Sequence, residues 1–112
     1  IAFNTLGRFI LIVENNGAIA NMQDDAMVEV VCELGINGPR PMRVGNIPQF
    51  YLGLLVQQVS CEKVLVDAFF ENSYQKALQA FTLNRLINDA KVARTILDEL
   101  IEANKGMWPE LK

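Results

Sequence analysis

The residues of this 112-residue chain that could do chemistry gather in three places, and none of them is a histidine. Without imidazole the commonest general base is gone, and with it the Ser-His-Asp and Cys-His nucleophile systems and every His-based metal site. The adjacent carboxylates Asp24 and Asp25 are of the type that binds a metal or shares a proton. As neighbours in a loop ahead of a strand, however, they read first as solvated turn and cap residues. Glu62 and Lys63 fall inside a helical stretch, where the pair reads as surface charge. The third place is Glu14-Asn15-Asn16-Gly17-Ala18-Ile19-Ala20-Asn21, with three amides and a carboxylate around a glycine at the end of an apolar run. Polar groups placed there can hydrogen-bond a sugar or fix a neighbouring domain. The competing reading is a plain Asx-rich turn.

Other chemistry is excluded by spacing. Cys32 and Cys61 match no metal or redox motif and read as reduced core thiols, with a disulfide between them as the alternative. The glycines Gly35, Gly38, Gly45 and Gly53 fit neither a dinucleotide turn nor a phosphate-binding loop. No catalytic, cofactor-binding or metal-ligating residue is therefore assigned. The formal net charge is -3 with no Lys/Arg cluster, which argues against nucleic acid as a partner. Charged or amide residues interrupt every apolar run before it reaches the roughly 18 to 20 residues that span a bilayer, which argues against membrane insertion. The start, Ile1-Ala2-Phe3-Asn4, has no initiator Met and no secretory signal pattern, and reads as cut from a longer chain.

The elements that must position these groups change period half-way. At 51% hydrophobic and 21% charged, the composition is globular, and the length suits a single domain over residues 1–112. Residues 8–13 read as a buried strand that delivers the polar loop, and residues 26–34 as a strand with Val28, Val30 and Cys32 on its more buried face. Gly35-Ile36-Asn37-Gly38-Pro39 is a turn, and residues 40–45 suit an edge strand. Asn46 and Pro48 then open a helix running to about Phe70, with Tyr51, Leu55 and Val59 at helical spacing. Ser73 caps a second helix after a break at Glu71-Asn72, and Asn88 or Asp89 opens a third. In the third, Val92, Ile96, Leu97, Leu100 and Ile101 form the apolar stripe, and Asn104-Lys105-Gly106 is the stop. Strands followed by helices make an α+β fold, short antiparallel strands in the first half and packed helices in the second.

The polar loop also carries a family likeness. Val13-Glu14-Asn15-Asn16-Gly17-Ala18-Ile19-Ala20-Asn21, then Asp24-Asp25-Ala26-Met27-Val28-Glu29-Val30, resembles the C-terminal region of glycoside hydrolase family 4. The likeness continues through Asn37-Gly38-Pro39, Val44-Gly45-Asn46-Ile47-Pro48 and Ser73-Tyr74-Gln75-Lys76-Ala77-Leu78, and ends on Trp108-Pro109-Glu110-Leu111. Glu14-Asn15-Asn16-Gly17 and the Trp108-Pro109-Glu110-Leu111 tail are similar to the 6-phospho-α-glucosidase branch.

The resemblance implies a C-terminal domain related to that of lactate and malate dehydrogenases, in a cytoplasmic enzyme that hydrolyses phosphorylated disaccharides such as maltose 6'-phosphate. It implies NAD and Mn2+ as cofactors of the parent enzyme, acting by redox and elimination steps instead of the two-carboxylate route of most glycosidases. The family's metal-binding Cys and His and its Tyr base are expected upstream, since neither Cys32, Cys61, Tyr51 nor Tyr74 stands in a matching motif. Only Asn15, Asn16, Gly17 and Asn21 belong to a motif that approaches the active site, and they form the candidate substrate-side loop. The expected role is a substrate-side and oligomerisation domain, inactive alone and self-associating; Phe69, Phe70, Tyr74 and Trp108 read first as core residues and otherwise as contact residues. The alternative is a free-standing assembly module, which would have no NAD domain ahead of it.

Overall fold

In the computed structural model the described residues are 6–87 and 89–112, so Ile1-Ala2-Phe3-Asn4 and the candidate cap Asn88 lie outside them. The chain forms two compact units, Ile1–Gly53 and Leu54–Lys112.

The first unit is built on an antiparallel sheet of β1 (Gly7–Glu14), β2 (Met27–Gly35) and β3 (Gly38–Pro41), in the order β1-β2-β3. Its middle strand follows the period of its sequence. Val28, Val30 and Cys32 are buried, while Met27, Glu29 and Val31 between them are exposed, as alternation across a pleated strand requires. The expectation of a buried first strand is corrected: β1 lies at the sheet edge with Phe9, Ile10 and Ile12 exposed to 52%, 65% and 68%. An apolar run states what a strand prefers to touch, and it cannot state whether this chain supplies the cover. β2 and β3 are joined by Ile36-Asn37, and Gly38 takes the positive φ (91°) that closes the hairpin. β3 is shorter than residues 40–45 because the chain leaves β2 after Met42. Its Val44 N–H instead donates to the Ala18 carbonyl (2.7 Å), and Gly45 bridges Ile19 in parallel.

The 23-residue helix α1 (Gln49–Glu71) carries the chain into the second unit. Pro48 sits ahead of it with its carbonyl accepting from the Leu52 N–H. It ends where Asn72 takes a φ of 54°, and Ser73 then caps α2 (Tyr74–Leu83) by accepting from the Lys76 N–H. Asp89 caps α3 (Ala90–Ala103), its carboxylate accepting from the Lys91 and Val92 N–H groups at 2.7 and 3.2 Å. Asn104 and Gly106 (φ 84°) end it.

Ala68, Ala77 and Leu97 form the buried centre of this unit, with Tyr74, Leu78, Phe81, Ile101 and Leu111 packed around it. The buried line on α3 is Ala93 to Leu97. Val92, expected on the apolar stripe, is exposed, since Ala93 and Leu97, four residues apart, share the buried face and Val92 lies beside it. Both cysteines are free and buried, so the reduced-thiol reading holds. Phe69, Phe70 and Trp108 are exposed. Among the described residues no helix is long and apolar enough to cross a membrane.

Candidate functional site

The polar loop leaves β1 at Glu14 and returns to β2 at Met27, and its backbone is closed by Asn15. The Asn15 N–H donates to the Ala26 carbonyl (2.8 Å) and the Asn16 N–H to that of Asp24 (2.9 Å), so the loop ends stay paired past the sheet. The Asn15 side chain turns inward, with none of its surface exposed. Its Nδ2 donates to the carbonyls of Ile19 (3.0 Å), Met22 (3.2 Å) and Gln23 (3.1 Å), and its Oδ1 accepts from the Ile19 N–H at 2.7 Å. One amide thus pairs the Ile19 N–H and the Met22 carbonyl and adds a second donor to the Ile19 and Gln23 carbonyls, which also accept from the Met22 and Ala26 N–H groups. An unpaired buried carbonyl or N–H costs about 1–3 kcal/mol. Ala18, Ile19, Met22 and Ala26 are buried in the same loop.

With Asn15 inside, the neighbouring positions face outward. Asn16 is exposed in a left-handed conformation (φ 41°) followed by Gly17 (φ 79°), and its Nδ2 donates to Glu14 Oε2 at 3.1 Å. Two successive positive φ values turn the chain sharply, which Asn and Gly tolerate where a β-branched residue would not. Asn21 is exposed and clamps the segment before α1, donating from Nδ2 to the Ile47 carbonyl (2.9 Å) and accepting at Oδ1 from the Ile47 N–H (3.0 Å). The four candidate residues therefore share one loop but divide its labour. Asn15 braces the loop from inside, Asn16 and Asn21 are exposed, and Gly17 is half-buried. Single-sequence reasoning missed the brace because buried and exposed asparagines look alike in a string. No residue type nearby marks Asn15 as the buried one, because its partners are backbone groups of Ile19, Met22 and Gln23.

The remaining candidates are placed as follows. Asp24 and Asp25 are exposed turn residues. Glu62 is exposed on α1 and accepts from Gln58 Nε2 (2.8 Å). Tyr74 donates its hydroxyl to Asp98 Oδ1 (2.7 Å), a bond that raises its pKa and holds the phenol protonated, with burial adding to the effect. The Cys61 thiol contacts the Ala80 carbonyl (3.2 Å), and burial, then the Glu62 charge, push its pKa up. A thiol so placed is a poor nucleophile and a poor metal ligand. Among the described residues no three His, Cys, Asp or Glu side chains gather closely enough to hold a metal ion. Among the described residues the donor set does not fit a manganese site, and no glycine turn ahead of a helix fits a dinucleotide.

Residues 1–87 match the family 4 glycosyl hydrolase C-terminal domain. The chain is 59% identical over 111 residues to the maltose-6'-phosphate glucosidase of Bacillus subtilis, covering 99% of this chain and 25% of that protein. It is 57% identical over 112 residues to the Fusobacterium mortiferum enzyme of the same name, covering 100% of this chain and 25% of that one. A solved 6-phospho-α-glucosidase from gut microorganisms, in complex with NAD and Mn2+, superposes with a TM-score of 0.96 at 81% identity, covering 100% of this chain and 26% of that one. The chain spans about a quarter of the length of the curated relatives it matches.

Proposed function

Since the chain belongs to the family 4 glycosyl hydrolases, as their C-terminal domain, we propose that it forms the substrate side of a 6-phospho-α-glucosidase. The substrate class is phosphorylated disaccharides such as maltose 6'-phosphate. The observation that carries this reading is the identity of nearly three residues in five, along the whole chain, to glucosidases of that specificity. The active enzyme is the longer polypeptide, working in the cytoplasm as a homo-oligomer, and the fragment alone is inactive. NAD and Mn2+ are held by other parts of it, because this chain has neither imidazole nor a cluster of ligands among its described residues.

Within that enzyme the loop of residues 14–21 supplies amides, which both donate and accept and so suit sugar hydroxyls. Asn16 and Asn21 are the groups that meet the sugar, Gly17 keeps the turn between them open, and Asn15 holds all three in position. None of these groups transfers a proton, so their effect falls on binding and orientation. The test is substitution in the full enzyme. Asn16→Ala and Asn21→Ala are expected to raise KM for the phosphorylated disaccharide several-fold, with a smaller change in kcat. Unchanged KM for both would remove the loop from the substrate side.

A further inference from the structure

The edge strand β1 carries a pattern that reads alike from either end. Around Leu11 stand Ile10 and Ile12, then Phe9 and Val13, then Arg8 and Glu14, so matched apolar residues are flanked by opposite charges. In an antiparallel pair directly opposed residues lie on the same face of the sheet. A second β1 laid across a two-fold axis at Leu11 would set Arg8 against the partner's Glu14 and Ile10 against the partner's Ile12. Phe9 would then meet the partner's Val13.

The backbone is oriented for this register. The Asn15 N–H points to β2, where it donates to the Ala26 carbonyl, and the unbroken pairing of β1 with β2 continues that alternation along the strand. Odd-numbered residues of β1 therefore direct N–H and C=O toward β2, and Arg8, Ile10, Ile12 and Glu14 direct theirs to the edge that no described strand occupies. Those are the residues that the two-fold register joins as hydrogen-bonded pairs.

Charge agrees with the same arrangement. At the Arg8 end, Arg8 (3.7 Å) and Arg40 (2.5 Å) share the single carboxylate of Glu33, which leaves a positive surplus. At the other end stand Glu14 and Glu29, the latter paired in register with Ile12. Two-fold antiparallel pairing brings each positive end to a negative one. A long apolar edge with no bulge, proline or inward charge is otherwise a liability that folded proteins avoid leaving open.

We propose that β1 is the surface through which two copies of this chain associate, edge to edge about a two-fold axis at Leu11, making one six-stranded antiparallel sheet from two three-stranded ones. This gives the self-association proposed above a definite surface and does not depend on the sugar chemistry. Sedimentation reads the one and turnover the other.

The test is sedimentation of the chain with Arg8→Glu, Glu14→Arg and the double substitution. The chain is expected to be a dimer, each single change to weaken it by about tenfold or more, and the double change to restore most of the loss, because two like-charge pairs become two opposite pairs again. Leu11→Cys is expected to form an interchain disulfide, since opposed residues of a non-hydrogen-bonded pair lie about 4.5 Å apart between Cα atoms. A monomer at high concentration would overturn the proposal, as would a dimer indifferent to all three charge variants. So would a Leu11→Cys variant of the natural polypeptide whose new thiol neither cross-links nor reacts with maleimide, because another segment would then cover the edge.

Discussion

At the centre of the first unit is an amide, and at the centre of the second is a leucine. Asn15 organises residues 15–26 through four directional bonds to backbone groups, whereas Leu97 fills space against Ala68 and Ala77. A hydrogen-bonded brace fixes one geometry and tolerates little change. An apolar centre is indifferent to direction and stabilises in proportion to the area it removes from water. The buried amide of the first unit is thus held by direction, and the buried leucine of the second by area.

The largest expected break in that contrast is Leu97→Ala, which should cost about 2–5 kcal/mol through lost burial and a residual cavity. Amide hydrogen exchange should show the loss in α2 and α3 with little change in the sheet. Asn15→Ala comes next, at about 1–3 kcal/mol, since the Ile19 N–H and the Met22 carbonyl lose their partner. Here the exchange should rise in residues 15–26 and leave the helices protected. Asn15→Asp should be worse than Asn15→Ala, because a carboxylate would replace the donor that faces three carbonyls. Asp89→Ala should cost about 1 kcal/mol, seen as fraying at the start of α3.

The smallest effect is that of pH, and it has opposite signs in the two units. The Arg40 guanidinium, by hydrogen bond and charge, holds the Glu33 carboxyl below its usual range. Its contribution is present at neutral pH and fades as pH falls below about 4. In the second unit burial raises Cys61, the bond to Asp98 raises Tyr74, and the bond to Glu71 raises Lys76. Those contributions are complete at neutral pH and fade as pH rises above roughly 8.5 for the thiol and about 10 for the other two. Acid should therefore weaken the Glu33–Arg40 pair, and alkali the contacts of Cys61, Tyr74 and Lys76, as read by residue-resolved NMR. High salt should flatten the Glu33 and Lys76 parts, whose charges are exposed.

Much of the fold was legible because local rules fixed it. Ser73 and Asp89 each accept from the N–H groups an N-cap is expected to satisfy, and the alternation of Val28, Val30 and Cys32 reports its buried face. What could not be read were relations that periodicity does not encode. Neither the edge position of β1 with its exposed Phe9, Ile10 and Ile12, nor the burial of Ala93 in place of Val92, follows from an apolar pattern alone. The site was half legible. The motif picked out the loop through its family likeness, but the inward turn of Asn15 follows from three-dimensional accounting of backbone carbonyls.

The central claim is that this chain shapes a substrate site and does not run the reaction, and turnover tests it most directly. The 112-residue chain, supplied with NAD, Mn2+ and a chromogenic 6-phospho-α-glucoside, should release no chromophore above the enzyme-free rate, while a full-length enzyme carrying the same domain should release it readily. Release by the short chain alone, lost on chelation of the metal, would contradict the account.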